Sequence, residues 1–127
     1  MSESEFKSTS GRTRIIKAAG YSIAGLREAW RVEHAFRQEL VVTIVLTGIA
    51  LYLPVSAFEK LLMIGSLVFV LIVELLNSAI EAAIDHTSLE RHPLAKRAKD
   101  FGSAAVMLAM FLVLAIWLVV IAGIVGR

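Results

Sequence analysis

Five polar residues interrupt an otherwise apolar stretch of this sequence: Glu74, Asn77, Ser78, Glu81 and Asp85. At about 100° per residue on a helix, Glu81 and Asp85 fall within roughly 20° of Glu74, and Asn77 and Ser78 flank them. One helical stripe therefore carries three carboxylates, an amide and a hydroxyl. A carboxylate surrounded by lipid is suited to accept a proton near neutral pH, as a general base must. One closer to water stays ionised, as a ligand of a hard cation must. The plainer use of such a stripe is to hold helices together by hydrogen bonds, and Asn77 and Ser78 alone would fit that use. Three acids on one face do not, because ionisable groups inside a membrane are costly and usually functional.

The elements that must carry this stripe follow from where charge is missing. Leu40 to Phe58 and Phe101 to Gly126 contain no charged residue, nor does Leu61 to Val73, after which the apolar run continues around the polar stripe to Ile84. A spanning helix needs about 20 predominantly apolar residues. Three transmembrane helices are expected, over 37–55, 60–85 and 93–124. Ser56 and Glu59 fit a capping box opening the second, and Pro93 suits the first position of the third. Entering near Lys60, the second helix would carry Glu74 about 21 Å and Glu81 about 31 Å along its axis. Glu74 is thus expected in the inner leaflet and Glu81 at its aqueous boundary.

The basic residues set the expected orientation. Lys7, Arg12, Arg14, Lys17, Arg27, Arg31 and Arg37 precede the first span, and Arg91, Lys96, Arg97 and Lys99 lie near the second turn. The first turn has Lys60 and the tail has Arg127. The positive-inside rule then puts the N-terminus in the cytoplasm and the C-terminus outside. Residues 1–10 read as a disordered tail. Over 13–36, Ile15, Ala19, Ile23, Leu26 and Trp30 recur at helical spacing, and Arg14, Lys17, Arg27, Glu28 and Arg31 mostly avoid their stripe. This pattern fits a basic amphipathic helix lying in the headgroup layer. Its polar face serves either as an anchor alone or as part of a substrate site.

Near the start of the third span, Lys96, Lys99, Asp100 and Ser103 share a helical face. Lysine binds phosphate as a point charge, although topology alone also calls for cationic loops. His86 and His92 lack the spacing of a metal pair, and no Gly-rich phosphate loop or protein-kinase signature occurs. The chain has 127 residues, 57% of them hydrophobic and 19% charged, with no cysteine. These values exclude a soluble monomer, a disulfide framework and thiol chemistry, and fit one domain.

Four segments are specific enough to carry a resemblance. They are Arg14-Ile-Ile-Lys-Ala-Ala-Gly-Tyr-Ser22, Ala35-Phe-Arg-Gln-Glu39, Val73-Glu-Leu-Leu-Asn-Ser-Ala-Ile-Glu81 and Arg97-Ala-Lys-Asp-Phe-Gly-Ser-Ala-Ala105. Together, from about Gly11 to Trp117, they resemble the small prokaryotic integral-membrane diacylglycerol kinases. The resemblance implies an all-α membrane protein, with an N-terminal amphipathic surface helix and three transmembrane helices, assembled as a homotrimer in the bacterial inner membrane. It implies Mg²⁺- and ATP-dependent phosphorylation of diacylglycerol to phosphatidic acid, in active sites shared between subunits and with no nucleic-acid partner.

By the same resemblance Glu74 is the base, Asn77 organises the catalytic stripe, and Glu33 and Glu81 hold the metal that bridges the ATP phosphates. Arg14, Tyr21, Glu90, His92, Lys99 and Asp100 match nucleotide-contacting positions. Ala19, Ser22, Glu39 and Ser103 match positions near the lipid or supporting the site. Departures fall mainly in the second loop, at Arg91, Pro93 and Lys96.

Two other readings fit parts of this pattern. An undecaprenol kinase of the same superfamily needs the same base, but the long N-terminal helix and its Ala-Phe-Arg-Gln-Glu motif favour diacylglycerol. A small proton-coupled transporter or channel subunit would use Glu74 to carry protons, but leaves Glu81, Lys99 and Asp100 unexplained.

Overall fold

The computed structural model of the chain describes residues 10–87 and 92–127. These residues form four helices and no strand: α1 (Gly11–Val32), α2 (His34–Tyr52), α3 (Ala57–Thr87) and α4 (Pro93–Val125). The chain divides into two compact units after His34.

The first unit is α1. Ser10 caps it, its Oγ accepting from the Thr13 amide at 3.2 Å, which satisfies one of the donors that a helix N-terminus leaves unpaired. Ile15, Ile23 and Leu26 of the apolar stripe are exposed. On the polar face, Arg31 Nε donates to Glu28 at 3.1 Å, one turn away. That hydrogen bond and the guanidinium charge hold the Glu28 carboxyl below the usual carboxylate range. The helix ends at Val32 because Glu33 is extended, with φ −100° and ψ 103°, while its N–H still donates to Ala29. The sequence pattern divides surface helix from span at 36/37; the bend falls at Glu33.

The second unit is built from α2, α3 and α4, each long and apolar enough to cross a membrane. At 1.5 Å per residue α2 is about 28 Å long, close to the roughly 30 Å hydrocarbon core, whereas α3 at about 46 Å outruns it. The surplus of α3 is what carries Glu81 and Asp85 beyond the apolar stretch.

The turn between α2 and α3 is tied by polar chemistry. Ser56 and Glu59 form a reciprocal capping box, with the Glu59 amide donating to Ser56 Oγ at 3.0 Å and the Ser56 amide to Glu59 Oε1 at 3.1 Å. Lys60 Nζ donates to the Leu51 carbonyl at 2.7 Å, satisfying an acceptor at the end of α2. Arg127 reaches back to the Pro54 carbonyl at 3.1 Å and to Glu59 at 3.3 Å. At the other end, Pro93 opens α4 and His92 Nδ1 accepts from the Leu94 amide at 3.1 Å.

The packed core gathers Ala50, Met63, Leu67, Trp117 and Val120, with Leu46, Leu53 and Ile116 against it. Trp117 Nε1 donates to the Met63 carbonyl at 3.2 Å, an acceptor that also receives Ser66 Oγ at 2.7 Å. This core joins the three helices toward the first turn. It leaves the opposite end of α3 and α4 to the polar residues.

Candidate active site

Burial along α3 is graded. Glu74 is 7% exposed, Asn77, Ser78 and Glu81 are half-buried, and Asp85 is exposed. The stripe expected from spacing therefore runs from the packed interior of the unit to its polar end. Asn77 couples its members, with Nδ2 donating to Glu81 Oε1 at 3.4 Å. This i, i+4 contact links the amide to the Glu81 carboxylate along one face of the helix.

Lysine meets the stripe from α4. Lys99 Nζ binds Asp85 Oδ1 at 2.8 Å between α4 and α3, close enough to Glu81 to feel its charge as well. Asp100, on the same helix, is engaged by Lys96 at 2.7 Å in an i, i+4 pair. Of the four residues expected to share a face of α4, Lys96 and Asp100 thus satisfy each other, while Lys99 faces α3. Ser103 is exposed. The role of Asp85 as the partner of Lys99 is not assigned by the sequence pattern. Its place on the stripe was the available signal, but which lysine it meets depends on how α3 and α4 register against each other.

Glu39 enters from α2. It is half-buried, its Oε2 has no hydrogen-bond partner, and its charge couples to that of Glu74. It lines a cavity of about 370 Å³ with Val42, Leu46, Val70, Met110 and Val113. Val70 is one turn along α3 from Glu74, so a space walled by apolar side chains lies beside two carboxylates. An acyl chain with a hydroxyl at one end has the matching chemistry.

The remaining expected residues are described by their own surroundings. Arg14, Ala19, Tyr21, Ser22 and Glu33 belong to the first unit; the first four are exposed and Glu33 is half-buried at the bend. Ser22 Oγ donates to the Ala18 carbonyl at 2.9 Å. His92 is occupied as the α4 cap. Glu90 lies outside the described residues.

Among the described residues no three acidic or histidine side chains cluster as a closed metal cage. Magnesium does not ask for one, since it keeps several waters and takes one or two carboxylates together with substrate phosphates. The donor chemistry at Glu81, an oriented carboxylate beside a lysine, fits that mode.

Comparison with known proteins identifies the family. The family model described as prokaryotic diacylglycerol kinase matches residues 20–121. A diacylglycerol kinase of Pseudomonas aeruginosa is 50% identical over 123 residues, covering 97% of this chain and all of the relative. That of Escherichia coli K12 is 51% identical over 113 residues, covering 89% of this chain and 93% of the relative. A Helicobacter pylori diacylglycerol kinase is 42% identical over 107 residues, 84% of each chain. With the match spanning α2, α3 and nearly all of α4, this membrane-helical chain belongs to the prokaryotic diacylglycerol kinase family.

Proposed function

We propose that the protein transfers the γ-phosphoryl group of ATP to the free hydroxyl of diacylglycerol in the bilayer, giving phosphatidic acid and ADP. The observation that carries this reading is the graded stripe: a buried carboxylate at Glu74, an amide-oriented carboxylate at Glu81, and Lys99 at the polar end. The names of the relatives supply the substrate class.

Phosphoryl transfer needs mainly positioning and charge neutralisation. Glu74 takes the proton of the lipid hydroxyl as its oxygen bonds to the γ-phosphorus. The bond from that phosphorus to the β–γ bridging oxygen breaks, and ADP leaves with the bridging electrons. Asn77 holds the Glu81 carboxylate in orientation. Lys99 neutralises phosphate charge, and Arg14, Tyr21, Glu90, His92 and Asp100 contribute to the nucleotide site. Glu33 and Glu81 would hold Mg²⁺, which when bound offsets the negative charge of the phosphates. Glu39, with Ala19, Ser22 and Ser103, lines the approach of the lipid.

Lipid arrives sideways within the leaflet and ATP arrives from the cytoplasm. The basic N-terminal segment and second turn favour that orientation in the inner membrane, with the C-terminus outside. Three spans are too few to enclose both substrates, so the functional unit in this reading is a homotrimer whose sites are shared between neighbours.

The test is phosphate transfer by the purified protein from labelled ATP to diacylglycerol and, separately, to undecaprenol. The reading expects diacylglycerol to be the better acceptor. Faster transfer to undecaprenol, or solute flux in liposomes without ATP consumption, would sink it.

A further inference from the structure

Helix α4 comes close to α3 at a glycine. A β-carbon built on Gly102 would lie 2.0 Å from Asn77 Oδ1 and 3.0 Å from its Cγ, nearer than atoms of neighbouring side chains can stand. Gly102 is itself buried. Gly20, Gly25, Gly48, Gly65 and Gly123 have nothing within 4 Å of that position, so the requirement is particular to this site.

The two ends of the Asn77 amide have different surroundings. Its Nδ2 donates to Glu81, while Oδ1 is buried and has no conventional hydrogen-bond donor. Glycine carries a hydrogen where another residue carries Cβ, so a Cα–H bond of Gly102 points at that oxygen. Cα–H···O contacts of this kind recur where helices pack closely. The contact faces the carbonyl end of the amide toward α4, which turns the NH₂ end toward Glu81.

We infer that Gly102 is a positioning residue of the active site, acting through Asn77 on the Glu81 carboxylate. The inference rests on the reading in which Glu81 holds Mg²⁺. With alanine at 102 the amide must take another rotamer. Asn77 Oδ1 is the end of a flexible side chain, so the amide moves and the helices need not part. What is lost is the orientation of Glu81, not the fold.

The test uses the full-length protein in lipid micelles. It compares wild type, Gly102→Ala, Asn77→Ala, the double variant and Glu81→Gln. Kinase rate is followed against Mg²⁺ concentration, with oligomeric state and thermal stability measured on each. Loss of an outer-sphere partner typically weakens metal affinity about 10–100-fold. Gly102→Ala should therefore raise the Mg²⁺ needed for half-maximal rate about tenfold, to a value close to that of Asn77→Ala. The double variant should be no worse than either single variant, because both changes break one connection.

Wild-type Mg²⁺ dependence in Gly102→Ala, or multiplying losses in the double variant, would overturn the positioning role. If Gly102→Ala assembles poorly, Asn77→Ala in the same chain should restore assembly by clearing the space, and failure to do so also overturns it. An unchanged Mg²⁺ requirement in Glu81→Gln would instead remove the metal-site reading on which the inference stands.

Discussion

Lys99 on α4 is tied to Asp85 on α3, Nζ to Oδ1 at 2.8 Å. Both side chains are well exposed, at 44% and 65%, and an exposed pair contributes little to stability. Its importance is directional: it aims a cation along the end of the carboxylate stripe. Asp85→Asn should therefore leave thermal stability nearly unchanged while raising the KM for ATP several-fold and sparing that for lipid. Steady-state kinetics with each substrate varied in turn checks this. Equal effects on both KM values would argue against it.

Glu74→Gln preserves the shape of the side chain but replaces one acceptor oxygen with an amide donor and removes the base. Positioned general bases contribute about 10²–10⁴-fold, so turnover should fall by that order with helicity and oligomeric state retained. The measurement is labelled phosphate transfer alongside circular dichroism, and turnover within threefold of wild type would reject the assignment.

Removal of Mg²⁺ by a chelator should abolish turnover and its return should restore it. Glu33→Gln and Glu81→Gln should each shift the activation curve to at least tenfold higher Mg²⁺, in keeping with the few carboxylates that magnesium takes from a protein. Titration of activity against free Mg²⁺ reads this directly.

Trp117→Phe tests the core independently of the site. The lost donor leaves the Met63 carbonyl still bonded to Ser66 Oγ, so no acceptor is orphaned. Interhelical hydrogen bonds in membranes average about 0.6 kcal/mol, and the loss should stay near that value in reversible unfolding from mixed micelles. Trp117→Ala, which also empties a packed volume, should cost about 3–5 kcal/mol.

Much of this architecture is legible in the sequence because lipid imposes a simple rule on composition. Charge-free intervals mark α2 and α4, Ser56 and Glu59 mark the start of α3, and Pro93 marks the start of α4. The stripe from Glu74 to Asp85 is legible for the same reason, since helical periodicity is local. What local periodicity leaves open is registration between helices. It places Lys96, Lys99, Asp100 and Ser103 on one face, yet it does not reveal that Lys99 leaves that face for Asp85 or that Gly102 meets Asn77. The bend at Glu33 is similarly hidden: neither proline nor glycine marks it.

That bend has a consequence for the backbone ladder. The Glu33 N–H still closes the last turn of α1 on Ala29, yet Glu33 itself is extended, the single such residue between two long helices. The hydrogen bonds of one helix therefore end where those of the next begin. Each helix can fray or tighten at that seam without unwinding its neighbour.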